Sequence, residues 1–555
     1  MTIKQVRNIR RISQIFFFAI FFWLILKTNF SVNFNPANPE KIELPLPVSI
    51  TLQFDPLTAL GTLLANGVLY EGLLWALVIL IPTIFIGRFF CGWICPLGSL
   101  NHWISEIPSE RMKRKGKSKI ESNRYKKYQR IKYYIFFFFI AASLMGTLQI
   151  GLIDPLPLLA RSIGTFVLPT IHTAAFGIVT WFRSLGYPPL GNIVQGIYNL
   201  ISPLLLNFRM VHFHGIMVIG IFFMLILVLN RVYTRFWCRG ICPLGGMLGI
   251  FSRYAIFGLA KDEATCNHCN ECLLHCQGAD NPDIGAAWRQ TECHLCLNCQ
   301  AVCPELALKF QFFPQQAITK SNPAGVQKVD ISRRKVMASV MGGVALYPLF
   351  RSGDAFEVNA NPYLVRPPGS VGESDFLARC IRCGQCMRVC PNNALHPTLL
   401  ESGFEGIWSP ILIPRIGYCE PTCTLCGQVC PTGAILPLAF KQKVGDKSTS
   451  PNRIGTAFID KGRCLPWSMA TPCIVCEEWC PTSPKAIYLR EEMVIDRTGI
   501  AVRIKQPYID PGLCTGCGTC EFACPVADKA AIYVTSVGES RSPQNQILLK
   551  RRTGK

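Results

Sequence analysis

The residues of this chain whose type and spacing can do chemistry are its cysteines. Of 28 in 555 residues, 24 fall into six groups of four with none left over. Cys266, Cys269, Cys272 and Cys276 follow C-x2-C-x2-C-x3-C. Cys293, Cys296, Cys299 and Cys303 repeat that spacing and add Pro304. Cys380, Cys383, Cys386 and Cys390 precede Pro391; Cys514, Cys517, Cys520 and Cys524 precede Pro525. Two sets are stretched at their opening, Cys419, Cys423, Cys426 and Cys430 by one residue and Cys464, Cys473, Cys476 and Cys480 by more.

Three thiolates on a tight loop suit three irons of a 4Fe–4S cubane, and a fourth beyond the x3 gap reaches a neighbouring cube. The expectation is six 4Fe–4S clusters. The first two sets read as one bacterial two-cluster ferredoxin module, Cys303 completing the cluster begun by Cys266 and Cys276 the one begun by Cys293. For the later four sets, nested pairing (first with fourth, second with third) is preferred to pairing in sequence order, because the regular sets lie outermost. Zinc sites draw on ligand pairs well separated along the chain, and disulfides across two-residue loops have poor geometry. His268, His275 and His294 sit inside the cluster loops and read as surface residues that tune potential rather than as ligands.

The other four cysteines lie in a repeat. Arg88–Gly98 reads RFFCGWICPLG and Arg235–Gly245 reads RFWCRGICPLG. Cys91 and Cys95, like Cys238 and Cys242, are four apart and share a face if helical. If the repeats meet, four soft ligands form an additional redox or metal site, a seventh centre suited to iron, an iron–sulfur group or zinc. The alternatives are a structural turn punctuated by Pro96 and Pro243, or reversible dithiol chemistry, since the cytoplasm disfavours permanent bridges.

Around these cysteines the chain is apolar. Half of it is hydrophobic and 16% charged, against about 25% charged in a typical soluble protein. Four stretches approach the roughly 20 apolar residues of a membrane span: Ile12–Phe30, Leu73–Ile86, Tyr133–Ile153 and Gly215–Leu229. The 154–210 connection holds apolar segments that are either two further spans or interfacial helices. Basic residues cluster before the first span, between Arg111 and Lys132, and at Arg231, Arg235 and Arg239, whereas 31–70 holds Lys41 alone. The positive-inside rule then puts the N-terminus and the 91–132 loop in the cytoplasm and the 154–210 connection outside. Beside a span, such a polybasic loop meets anionic lipid rather than nucleic acid. His172, His212 and His214 read as interfacial or quinone-contacting residues, and with Arg161 and Arg183 they are candidates for a quinol pocket.

Between the second and third cysteine sets, Ser332-Arg333-Arg334 precedes a short apolar run to Phe350, the pattern of a twin-arginine export signal placed internally. Clusters are inserted in the cytoplasm, so a four-cluster domain would have to cross the membrane folded. A chance Arg-Arg before a packed helix is the plainer alternative.

The spans, both C-x3-C-P repeats and the Cys266–Cys303 dicluster resemble NapH/NosR-type membrane ferredoxin proteins. The half from Ser332 onward, with its Arg-Arg leader, RPPG, and two stretched sets between two regular ones, resembles MauM/NapG-type ferredoxins. The chain therefore looks like a fusion of the two. The resemblance implies a quinol dehydrogenase electron-transfer subunit, carrying electrons from the membrane quinone pool, with quinone as substrate, to a periplasmic reductase or c-type cytochrome. An assembly factor for a metalloenzyme and an electron-input module fed by cytoplasmic ferredoxin are the rival functions. The fold expected is a polytopic α-helical membrane domain (1–255), an α+β dicluster ferredoxin domain in the cytoplasm (256–320), a signal or anchor with linker (321–370), and a four-cluster ferredoxin domain in the periplasm (371–555). The whole belongs in a bacterial cytoplasmic membrane.

Overall fold

The computed structural model describes residues 3–28, 44, 46–68, 71–106, 120–121, 123–184, 188–205, 212–278, 289–313, 329, 331–351, 361–445 and 450–546. Lys41, Phe30 and, of the basic run from Arg111 to Lys132, residues 111–119 and 122 lie outside the described residues. Two units emerge, each assembled from separated stretches. Met1–Ile25, Val48–Ser162 and Met217–Tyr347 make the first; Leu26–Pro47, Ile163–Ile216 and Pro348–Lys555 make the second.

The first unit is helical at one end and carries the first two cysteine sets. Its N-terminal helix, Ile3–Lys27, runs 25 residues, about 37 Å at 1.5 Å per residue. Two helical stretches, Gln5–Lys27 and Pro155–Ser184, are long and apolar enough to cross a membrane; the second extends into the other unit. Leu74–Ile86, Ile216–Arg231 and Pro243–Ser252 are shorter apolar helices. The run expected as one span from Tyr133 to Ile153 is helical only over Ile131–Leu144. Gly146 takes φ +85° there, the Thr147 N–H turns back to the Ala142 carbonyl at 3.2 Å, and a single tight turn, Ile150–Leu152, follows.

Polarity in this unit is inverted. Met217, Ile221, Met224, Leu225 and Val228 are exposed along one helix and Ile12, Ile15, Phe16 and Trp23 along another, while Arg10, Gln14, Arg88, Asn101, Lys132, Arg235 and Arg239 are buried. Soluble proteins rarely expose contiguous apolar surface on this scale. The helix Arg333–Arg351 contains the Arg-Arg motif. Its Gly343 lies against the Phe138 carbonyl, where any Cβ would collide, and the Ser332 N–H donates to the Tyr134 hydroxyl at 3.1 Å.

The sheets are small, antiparallel and placed around the cysteine loops. In the first unit β1 (Phe257–Lys261) pairs with β2 (Leu308–Phe312), from Phe257 opposite Phe312 to Lys261 opposite Leu308. In the second, β3 (Leu395–Pro397) pairs with β4 (Pro410–Leu412). Further along, β5 (Thr456–Ile459) pairs with β8 (Ile532–Thr535), and β6 (Ile487–Ile495) forms a hairpin with β7 (Ala501–Ile509). β1–β2 and β5–β8 use one plan, since each joins the strand entering a pair of cysteine sets to the strand leaving it. The core of the second unit gathers Val365, Met387, Leu412, Ile487, Ile532 and Val534 around the cysteines. Phe213 is buried in that core, which draws the end of the 163–216 stretch into the unit of the last four sets.

Candidate metal centres

Each regular cysteine set is wound by two left-handed residues, one on either side of its second cysteine. They are His268 and Asn270, Leu295 and Leu297, Arg382 and Gly384, and Gly516 and Gly518. Left-handed residues alternating with right-handed ones turn successive N–H groups toward one concave side, which suits an anionic group. The stretched sets use a different loop: Thr424 and Ile474, which follow their second cysteines, have φ −121° and −123°. The extra residues thus replace the left-handed turn. Backbone N–H groups approach the sulfurs of Cys293, Cys390, Cys430, Cys514 and Cys524 at 3.3–3.4 Å, the kind of hydrogen bond that sets a cluster's potential.

The fourth cysteine of each set joins another set's loop. Cys266, Cys269, Cys272 and Cys303 line one pocket. Burial pushes the Cys299 thiol up, and Cys296, Cys293, Cys276 and Cys272 are the cysteines around it. Exchange therefore runs both ways in the first pair. In the second unit burial raises Cys386, followed by its neighbours Cys383, Cys380, Cys430 and Cys426. Cys426 is pushed up by burial and then by Cys423, with Cys419 and Cys390 beside it. Cys464, Cys473, Cys476 and Cys524 line another pocket, and Cys520 has Cys517, Cys514, Cys476 and Cys480 around it.

The pairing is thus in sequence order, third set with fourth and fifth with sixth, and the nested pairing is incorrect. The short helices after the second cysteines explain it: Gln385–Arg388 packs on Leu425–Gln428, and Val475–Glu478 on Thr519–Ala523. Loop type does not choose a partner, because two regular loops fit together in the first pair and one regular with one stretched loop in each of the other two. Among the described residues no group of three or more His, Cys, Asp or Glu side chains closes round a single ion. Thiols arranged for the corners of a cubane are held further apart than ligands of one atom, so the donor sets fit 4Fe–4S groups.

The C-x3-C-P repeats do meet. Cys91, Cys95, Cys238 and Cys242 are all buried, and Cys242 has Cys238, Cys91 and Cys95 as its neighbours. The two arms are built alike. In each, the second cysteine's N–H reaches back five residues, Cys95 to the Phe90 carbonyl and Cys242 to the Trp237 carbonyl, both at 2.9 Å. Helices then start at Pro96 and Pro243. Gly98 N–H donates to the Cys95 sulfur at 3.4 Å and Gly245 N–H to the Cys242 sulfur at 3.3 Å. Asn101 adds a side-chain donor to Cys238 at 3.5 Å.

Buried cations tie this tetrad to the dicluster. Arg88 donates to the Thr291 carbonyl at 2.8 Å, Arg235 to the Cys91 carbonyl at 3.1 Å, and Arg239 to the carbonyls of Gln277 and Cys276 at 3.0 and 3.3 Å. Arg10 reaches the Cys296 carbonyl at 3.2 Å. Lys132 pairs with Glu292, which also accepts from the Tyr133 hydroxyl at 2.7 Å. Sequence reading placed Arg10, Lys132, Arg235 and Arg239 in the basic flanks of the apolar stretches and left Glu292 without a role, although Arg88 and Arg235 open the two repeats at equivalent positions. The backbone oxygen of Gln277, which stands where the other five sets have proline, is an anchor point for Arg239.

His268 and His275 are exposed, whereas His294 is 1% exposed; its expected place at the surface is incorrect. The loop carrying it is pressed against Gly92, and Arg88, Arg235, Lys132 and Arg239 surround it. Burial holds its imidazole well below the usual range, hence neutral. The residues suggested for a quinol pocket are divided: Arg161 belongs to the first unit, and His172, Arg183, His212 and His214 to the second.

Interlocked four-cysteine loops flanked by short antiparallel strands define the class, an iron–sulfur protein of the ferredoxin type. Models described as 4Fe-4S binding domains match residues 68–117, 214–260 and 426–448, and 507–527. Two 4Fe-4S dicluster domain models match 292–395 and 379–434, the latter spanning the third and fourth sets. The chain belongs to the MauM/NapG ferredoxin-type family. It is 34% identical over 200 residues to the methylamine utilization ferredoxin-type protein MauM of Methylorubrum extorquens, covering 35% of this chain and 80% of that relative. It is 33% identical over 207 residues to the ferredoxin-type protein NapG of Escherichia coli, covering 36% and 84%. No solved structure matches it. The chain is thus an iron–sulfur electron-transfer protein.

Proposed function

We propose that the chain is a membrane-bound subunit that takes electrons from quinol and passes them, through six 4Fe–4S clusters, to a periplasmic reductase or c-type cytochrome. The observation that carries the wire is the exchange of fourth cysteines within three successive pairs of sets. The inverted polarity of the first unit, apolar outside and cationic inside, supports the membrane. The likeness to NapH/NosR-type membrane proteins over the spans supports quinol as donor.

Bound clusters would supply one-electron redox steps at potentials set by their surroundings. The chain's own contribution is placement. Interlocked loops hold neighbouring centres close, backbone N–H groups neutralise sulfur charge, and buried arginines fix the first pair of sets against the Cys91–Cys242 tetrad. That tetrad is proposed as a seventh redox or metal centre, because two helix starts and three N–H donors converge on its sulfurs.

Anaerobically purified protein in detergent is expected to hold about 24 irons in its six four-cysteine sets, plus any iron at the tetrad. It should show 4Fe–4S paramagnetic spectra after reduction and lose its visible absorbance when mixed with a menaquinol analogue. Reduction by low-potential ferredoxin alone, with quinol inert, would overturn the quinol reading.

A further inference from the structure

Two titratable side chains of the second unit meet between apolar helices. His172, on Leu168–Ser184, is 6% exposed. Its Nε2 lies 3.0 Å from the hydroxyl of Tyr198, on Pro188–Leu205, and the two ring planes are 7° apart with centroids 6.4 Å apart, so parallel rings meet at their polar edges. The outer faces of the two helices are apolar: Ile178, Trp181, Ile193, Ile197 and Leu200 are each more than half exposed. An imidazole and a phenol inside such a helix pair are costly in lipid and mark a site of function.

Residues 212–214 meet a cysteine loop of the same unit. His212 is a neighbour of His172. The His212 carbonyl accepts from the Asn393 side chain at 2.8 Å, and the His214 N–H donates to Nδ1 of His396 at 3.2 Å. Between those two contacts the Ala394 N–H donates to the Cys390 sulfur at 3.3 Å. A single tetrapeptide, residues 393–396, therefore holds the histidine segment with both ends and a cluster ligand with its second residue.

We propose that His172 and Tyr198 form the binding and proton-accepting site for a membrane quinol, and that its electrons enter the chain at the centre closed by Cys390. This deepens the quinol reading above and rests on it. A quinol is a flat ring bearing two hydroxyls and an apolar tail, which suits two hydrogen-bonding ring edges held between lipid-facing helices. One quinol hydroxyl donates to Nε2 of His172, and the Tyr198 hydroxyl bonds to the ring oxygen. On oxidation both quinol O–H bonds break and the ring becomes quinone. Two electrons leave, and two oxidised 4Fe–4S clusters, the oxidant, take one each. The protons pass in turn to Nε2 of His172 and then, by the exposed His212, to water.

The test uses the full-length, cluster-loaded protein in detergent, comparing wild type with His172→Gln and Tyr198→Phe. Binding is read as the thermal shift produced by 2-heptyl-4-hydroxyquinoline N-oxide, an unreactive quinol analogue. Electron entry is read as the rate of absorbance loss on mixing with menadiol, and cluster integrity as the extent of reduction by dithionite. Both variants should bind the analogue at least tenfold more weakly and be reduced by menadiol at least tenfold more slowly, with dithionite reduction unchanged. Tyr198→Phe removes one hydroxyl and serves if His172→Gln loses iron. Wild type that dithionite reduces and menadiol does not would overturn the quinol reading itself. Wild type and both variants alike in binding and menadiol rate would overturn this site and leave that reading standing.

Discussion

Gly92, inside the first C-x3-C turn, faces the carbonyl oxygen of His294 so closely that no side chain fits between them. The turn that carries two tetrad cysteines is thereby laid against the loop of the second cysteine set, and the approach depends on a missing Cβ. A methyl group has no flexible neighbour to displace, because the obstruction is backbone. Gly92→Ala should lower stability by about 1–3 kcal/mol, as overpacking in a tight interface does. It should also perturb the paramagnetic signal of the centre held by Cys293, Cys296 and Cys299. An unchanged melting temperature and spectrum would show that the contact has slack.

Glu292 is the buried anion among Lys132, Arg88 and the Tyr133 hydroxyl. Its carboxylate is 2% exposed, so the ion pairs gain little screening from water and the two cations have no cheap alternative. Glu292→Gln keeps the shape and removes the charge, leaving Lys132 and Arg88 buried together. Breaking a buried pair from one side costs about 3–5 kcal/mol. Loss of the first pair of clusters before the others on mild heating, followed by visible absorbance, is the expected outcome. The double change Lys132→Met with Glu292→Gln should recover part of the loss.

The cysteine sets are legible as sets because three thiols close together in the chain, within seven residues in the four regular sets, can reach a common cluster, a local constraint that spacing alone expresses. Which sets exchange their fourth cysteine is a question of distance through space. Loop type misled there, since Cys390 and Cys430 cross between a regular and a stretched set. The tetrad was legible for a different reason: a repeated Arg88–Gly98 and Arg235–Gly245 sequence implies equivalent placement. Its clamp was not legible, because single arginines such as Arg10 and Arg239 ordinarily read as solvated charge, and their burial follows from carbonyls far along the chain. The Tyr133–Ile153 run kept its apolar character and lost its helix at Gly146, a break that hydropathy does not register.

His396 is buried, and burial lowers its imidazole to about 4, with His214 adding to the effect. The folded chain therefore favours the neutral ring, and the unfolded chain binds the additional proton between about pH 6.5 and 4. Stability from this group is complete above that window and falls as pH drops through it, by up to about 3 kcal/mol. Denaturant unfolding of the reduced, cluster-loaded protein between pH 7 and 5.5 should show this slope, and His396→Gln should flatten it. A slope unchanged by the substitution would assign the acid sensitivity to other groups.

Exchange of fourth cysteines makes a prediction that local ligation does not. If each set held its own cluster, Cys430→Ala would damage the centre of Cys419, Cys423 and Cys426. With Cys430 among the neighbours of Cys380, Cys383 and Cys386, the damaged centre is instead the one begun by Cys380. Cys390→Ala should correspondingly damage the centre of the stretched set, whose Cys426 has Cys390 beside it. The two variants are each expected to lose about four irons or convert one centre to a three-iron form. They should remove different signals from the reduced spectrum, and Cys380→Ala should remove the same signal as Cys430→Ala. A match between Cys430→Ala and Cys419→Ala would instead show that each set ligates alone, and the chain of adjacent centres argued from these pairs would fail with it.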